Sequence, residues 1–144
     1  MKNYTSYAQL YLRLALGIGF ILPVLDRTGV FGPAGQHNIS WGSWDHFLSY
    51  TNTLLPFLSR SVANIFGLLA TIAEVLFGVL LIIGYKTRIT AIGSCLLTLI
   101  FALCMAIFTG IKAPFNYSVF PVSAGSLLLS AIPYYKWSVD NLRS

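Results

Sequence analysis

The chain has 144 residues, of which 56% are hydrophobic and only 9% charged, with a formal net charge of +5 and a mean hydropathy of +0.74. These values exclude an ordinary soluble domain and define a membrane chain, expected as one domain over residues 1–144. The nine Lys and Arg residues are scattered, with no cluster or stripe to follow a phosphate backbone, which argues against a nucleic-acid partner.

Four apolar stretches approach the roughly 20 residues that a helix needs to cross a bilayer. They fall at about Ala8–Leu25, Val62–Gly84, Ile89–Ile111 and Val119–Tyr135. The first follows Lys2 and so also fits a secretory signal peptide; Arg13 inside the run and the poor cleavage pattern after Leu25 favour a retained span. The predicted class is an all-α membrane protein, a four-transmembrane-helix bundle with both termini on one side. Placing the termini in the cytoplasm puts Lys2, Lys86, Arg88, Lys136 and Arg143 inside against Arg27, Arg60 and Lys112 outside. The short "GYKTR" turn carries most of that bias, since it lies directly against the membrane.

Between the first two spans, Asp26 to Ser61 is too long for a hairpin connection, and loops of that length usually carry structure or function. Its first part, "DRTGVFGPAGQHNIS", reads as irregular. Its second part spaces Trp44, Phe47, Leu48, Thr51, Leu55 and Leu58 as a helical apolar stripe, predicting a short helix over 43–58 with Ser43 as its cap. Trp41 and Trp44 suit a helix lying in the headgroup layer over the outer mouth of the bundle, the alternative being a soluble loop packed on its own aromatics.

The second span contains Glu74. An ionised side chain at mid-membrane costs at least about 2.5–3.5 kcal/mol, so Glu74 needs a partner or a role. Arg13 in the first span lies at a matching depth, and the first expectation is an interhelical Arg13–Glu74 clasp. Arg13 could instead snorkel to the cytoplasmic headgroups, leaving Glu74 protonated or bonded to a hydroxyl. The functional alternative is that Glu74 exchanges protons with, or binds the head of, a small molecule inside the bundle.

Other polar groups gather toward the outer side. Asp26 and Arg27 end the first span, and "GIKAPFNYSVFP" adds Lys112, Asn116, Tyr117 and Ser118 in a segment broken by Pro114 and Pro121. Irregular backbone at that depth suits the lining of a cavity. With Trp41, Trp44, His37 and His46 from the long loop, these residues are candidates for one polar pocket. Two histidines without spaced Cys or carboxylate partners are no metal signature, and no metal is expected. Cys95 and Cys104 are nine residues apart on one span, about 13 Å along a helix, too far to bond each other. They read as structural thiols.

The motifs "LRLALGIGF", "DRTG", "ATIAEVLFGVLLIIGYKTRITAIGS" and "GIKAPFNYSVF" together resemble the DoxX family of small bacterial membrane proteins, over nearly the whole chain. The most specific piece is the acidic residue of the second span followed by the Gly-aromatic-Lys-Thr-Arg turn. The chain is also similar to the DoxD subunit of thiosulfate:quinone oxidoreductase. The resemblance implies a multi-pass protein of the bacterial inner membrane, a homodimer or a complex with other redox subunits, and functional roles for Arg13, Asp26, Arg27, Glu74 and Lys112. One expected function is therefore a subunit of a quinone-linked oxidoreductase, with quinone between the helices and an anionic reductant such as thiosulfate at Arg27 and Lys112. The other is a non-catalytic binding or scaffold module, or a small-solute permease, whose charges hold helices together.

Overall fold

The computed structural model describes residues 2–142, with side chains from residue 4. The Lys2 side chain and Arg143, both used above for orientation, lie outside the described residues. The order is α1 (Lys2–Arg27), α2 (Trp44–Leu54), α3 (Arg60–Ile83), α4 (Thr87–Phe108), α5 (Ala113–Asn116), α6 (Val119–Ser130) and α7 (Val139–Leu142), with no strand among the described residues. Among the described residues, three helices are long and apolar enough to cross a membrane: α1 from Tyr4, α3 and α4.

The expected fourth span is shorter. Helix α6 has 12 residues, about 18 Å at 1.5 Å per residue, where the hydrocarbon core is about 30 Å. Pro133 lacks the N–H that a continuing helix needs, so the chain turns before Tyr135. Proline also shortens α2, which stops at Leu54 rather than at residue 58 because Pro56 pushes the residue before it out of helical geometry. Leu55 accordingly sits at φ −130° and ψ 60°. Ser43 caps α2 as expected, accepting from the His46 N–H.

Helix α1 lies along α3, and α6 along α4, while α1 touches α6 only lightly. The α1–α3 crossing is set by glycine. A Cβ at Gly17 would come within 2.7 Å of Ile82 and 2.9 Å of the Gly78 carbonyl oxygen, and one at Gly78 within 3.0 Å of the Gly17 oxygen. Only glycine lets the two backbones approach this closely, as small residues do in membrane bundles generally. In the other pair, Ser123, Ser126 and Ser130 are buried against α4, and the Ser123 hydroxyl donates to the Cys95 carbonyl at 3.0 Å. Cys95 is buried and Cys104 half-buried, both as free thiols. Apolar side chains of α3 and α4 such as Ile65, Leu69, Ile72, Leu96, Ile100 and Ile107 point outward, as expected of helices wetted by lipid.

The turn that distinguishes the sequence, Gly84 to Arg88, docks the C-terminal segment. Gly84 ends α3 at φ +71°, where a side chain would also collide with Ser138 and the Arg13 guanidinium. Both oxygens of Asp140 accept backbone N–H groups there, from Lys86 at 2.6 Å and Thr87 at 2.8 Å. Arg13 donates to the Trp137 carbonyl at 2.7 Å, and Gln9 to that of Lys136 at 2.8 Å. The expected Arg13–Glu74 clasp is thus not formed: Arg13, 1% exposed, serves the opposite end of the molecule. The helix geometry explains why. Side chains tilt toward their helix N-terminus, so on α1 Arg13 leans away from the level of Glu74 while Arg27 leans back toward it.

Candidate functional site

Glu74 pairs with Arg27. The guanidinium Nη1 stands 2.8 Å from Glu74 Oε2, with the two side chains 2% and 11% exposed. At that distance the contact is an ion pair, although no N–H points straight along it. The same Nη1 donates to the Thr71 hydroxyl at 2.7 Å, and Thr71 passes the bond to the Gly67 carbonyl at 2.8 Å. Thr71 lies three residues before Glu74, one turn away on the same face of α3. Arg27 Nε donates to the Pro23 carbonyl at 3.2 Å, bending the side chain down along α1.

The pair has an aromatic cover. The Arg27 guanidinium carbon lies 3.9 Å from the centre of the Phe47 ring and 5.3 Å from that of Trp41. Contacts of this kind contribute about 0.5–2 kcal/mol, more where water is excluded. Phe47 is held in place because α2 packs on α3 at Gly67, where a Cβ would meet Phe47 at 3.2 Å and Thr51 at 3.6 Å. Asp26 builds the rest of the cover. Its carboxylate accepts the backbone N–H groups of Ser40 at 2.9 Å, Trp41 at 3.2 Å and Gly42 at 3.3 Å, tying the irregular half of the long loop to the end of α1. Gly42, at φ +63°, lets that loop close on Pro33 and Ala34. Asp26 is therefore spent on the loop rather than left as an acid facing the membrane.

Beneath this cover lies a cavity of about 1010 Å³ between α1, α4 and α6. Arg27, Glu74 and Asp26 form its polar end, joined by Tyr50, Tyr117, Asn38 and Ser40. Thr98 is the polar group on the α4 wall, and the remainder is apolar, from Leu16 and Phe20 to Phe101, Met105 and Val122. Burial, with Tyr117 nearby, pushes the Tyr50 phenol up, so at neutral pH Tyr50 stands at the cavity mouth as a protonated donor. The arrangement offers a neutral molecule an apolar slot ending in a cation, a carboxylate and hydroxyl groups.

Of the residues singled out in the sequence, Glu74, Arg27, Asp26, Trp41 and Tyr117 line this cavity. Arg13 does not, and neither do Lys112 and Asn116, which are exposed on the outer segment. Trp44 donates to Asn64 at 2.9 Å, pinning α2 to α3. His37 and His46 are exposed, His46 beside the Ser43 hydroxyl at 2.9 Å. No group of three His, Cys, Asp or Glu side chains gathers among the described residues. Sequence reasoning missed Thr71, Tyr50 and Thr98. The spacing of Thr71 from Glu74 was a signal that could have found it.

Fold and site together define a small all-helical membrane protein with a lidded, mostly apolar cavity ending in a buried ion pair. The family model described as "TQO small subunit DoxD" matches residues 8–142. The chain belongs to that DoxD family, which confirms the resemblance read from its motifs. No curated protein and no solved structure shows significant similarity to it.

Proposed function

We propose that the protein is a redox-associated subunit that binds a quinone in this cavity, with the ring head at the Arg27–Glu74 pair and the Tyr50 phenol. The observation that carries this reading is a buried carboxylate, ion-paired with Arg27, in the wall of an otherwise apolar cavity of about 1010 Å³. Reduction of a quinone consumes two electrons and two protons. Glu74 is the group placed to pass protons to a ring oxygen, Arg27 the cation to stabilise charge developing there, and the electrons come from a partner redox subunit or a bound reductant such as thiosulfate. Two carboxylates face one guanidinium at the polar end, so the cavity favours a neutral head over an anion. An anionic reductant would instead meet exposed Lys112 on the outer segment. Helix α2 lies in the headgroup layer as the lid, and α6 with the following turn forms the fourth, short membrane element. The protein sits in the bacterial inner membrane with both termini cytoplasmic and assembles as a homodimer or with other redox subunits.

A second reading treats the charges as architecture, with the protein a non-catalytic scaffold; the Arg27–Thr71–Gly67 chain of bonds favours it, because it ties α1 to α3 without a ligand. Thermal unfolding with quinone analogues separates the two. Ligand-dependent stabilisation that vanishes in Glu74→Gln supports quinone binding. Absence of any shift, with both charges contributing to stability, supports the scaffold.

A further inference from the structure

The cavity runs well beyond the polar end. Its α1 wall extends from Asp26 down through Pro23, Leu22, Gly19, Leu16 and Ala15 to Leu12, about 21 Å along the helix and several times the length of a ring head. Everything below Pro23 on that wall is apolar. Opposite stand Val119, Pro121, Val122 and Gly125 of α6. Along this seam the two helices barely touch, and Ala15, Gly19, Leu22 and Pro121 are exposed although they line the cavity. At Gly19 an added Cβ would meet nothing within 4 Å, and at Gly125 the nearest atom, from Leu12, is 3.4 Å away. A seam of small residues alone would say little. Here it runs directly into the cavity whose polar end holds the buried Arg27–Glu74 pair.

We infer that the cavity opens sideways into the bilayer between α1 and α6, and that the ligand is a single-tailed amphiphile whose isoprenoid or alkyl tail leaves through the gap at Gly19 and Gly125. This rests on the quinone reading of the polar end and adds a route of entry. A membrane-dissolved ligand reaches Glu74 without crossing the α2 lid, sliding head first up the seam. The tail gains no hydrophobic energy over lipid, since both surroundings are apolar. What the seam supplies is room, and filling that room blocks a tailed ligand while sparing a tail-less one.

The test uses the full-length protein in detergent and a dimethoxy-methyl-benzoquinone with and without a decyl chain, with affinity read from the ligand dependence of the unfolding temperature. Gly19→Leu adds a side chain where space is open and replaces glycine with a better helix former, so its fold is retained. Comparing one tailed compound across two proteins also cancels its partition into micelles. The expected result is binding of the decyl compound weakened roughly 5- to 150-fold in Gly19→Leu, as for overpacking an occupied site, with the tail-less compound unchanged. Gly125→Leu is expected to act likewise from the other wall. Unchanged decyl binding, or equal weakening of both compounds, overturns the portal and leaves the head site standing. Failure of both compounds to bind the wild-type protein overturns both. A decyl chain carrying a diazirine gives an independent readout: labelling on α1 and α6 supports the portal, and labelling confined to the outward faces of α3 and α4 refutes it.

Discussion

A double-mutant cycle on Arg27 and Glu74 probes the joint on which the site is built. At 2.8 Å, two unit charges attract by about 6 kcal/mol in a medium of effective dielectric constant near 20, before the cost of removing them from water. Breaking such a buried pair from one side typically costs about 3–5 kcal/mol, because an uncompensated charge is left behind. Arg27→Met leaves Glu74 unpaired and also removes the donor to Thr71 and the cation over Phe47, so it is expected at the upper end of that range. Glu74→Gln leaves the buried Arg27 cation without its anion but keeps an acceptor of the same shape and the bond to Thr71, so it is expected at the lower end of that range, about 3 kcal/mol. The double variant should cost less than the sum by at least about 1 kcal/mol. In contrast, Arg13→Met with Glu74→Gln should be additive to within about 0.5 kcal/mol, since Arg13 is engaged at the other end with Trp137. Reversible unfolding in mixed micelles, followed by circular dichroism, reads the five variants against the wild type. Coupling between Arg13 and Glu74, or additivity between Arg27 and Glu74, refutes the pairing.

Two further outcomes follow from the ends of the molecule. Asp26→Ala strips the acceptor from three backbone N–H groups and should cost about 2 kcal/mol or more. Hydrogen exchange should then rise at Ser40 to Gly42 with little change in α3, whereas Asp26→Asn, which retains an acceptor, should be intermediate. Gly84→Ala forces a side chain onto a left-handed residue against Ser138 and Arg13. A loss of about 1–3 kcal/mol is expected, with faster exchange of the Lys86 and Thr87 amides as Asp140 is displaced.

The helices were legible because hydropathy and helical period are properties of composition and spacing. Ser43 capping α2 and the serines of α6 against α4 follow from local chemistry, and the structure places them as their residue types suggest. The ends were less legible. Helix α1 begins well before Ala8, because polar Asn3, Thr5 and Ser6 do not stop a helix that an apolar count overlooks, while Pro56 and Pro133 stop α2 and α6 earlier than their apolar patterns do.

The partner of Glu74 was legible only as a depth, and a depth admits both arginines of α1. Deciding between them required the Gly17–Gly78 crossing, which sets the level of one helix against the other, and the tilt of side chains toward the helix N-terminus. The candidate site divides on the same ground. Asp26, Arg27, Glu74 and Tyr117 converge because secondary structure brings their segments together. Lys112 and Asn116 are close to Tyr117 in sequence but face outward from a one-turn helix whose phase the sequence does not set. Tyr50 and Thr98 stayed invisible because an isolated hydroxyl on an apolar stripe looks like any other core position.

The account's central claim is that Glu74 and Arg27 form the polar end of a ligand cavity. Thermal unfolding of the purified protein with and without a menaquinone or ubiquinone analogue, in wild type and Glu74→Gln, tests it most directly. The account predicts a concentration-dependent rise in the unfolding temperature of the wild-type protein, corresponding to about 2.7 kcal/mol at a ligand concentration 100 times Kd, and no rise in Glu74→Gln. An unchanged wild-type protein, or an equal rise in both, would contradict it.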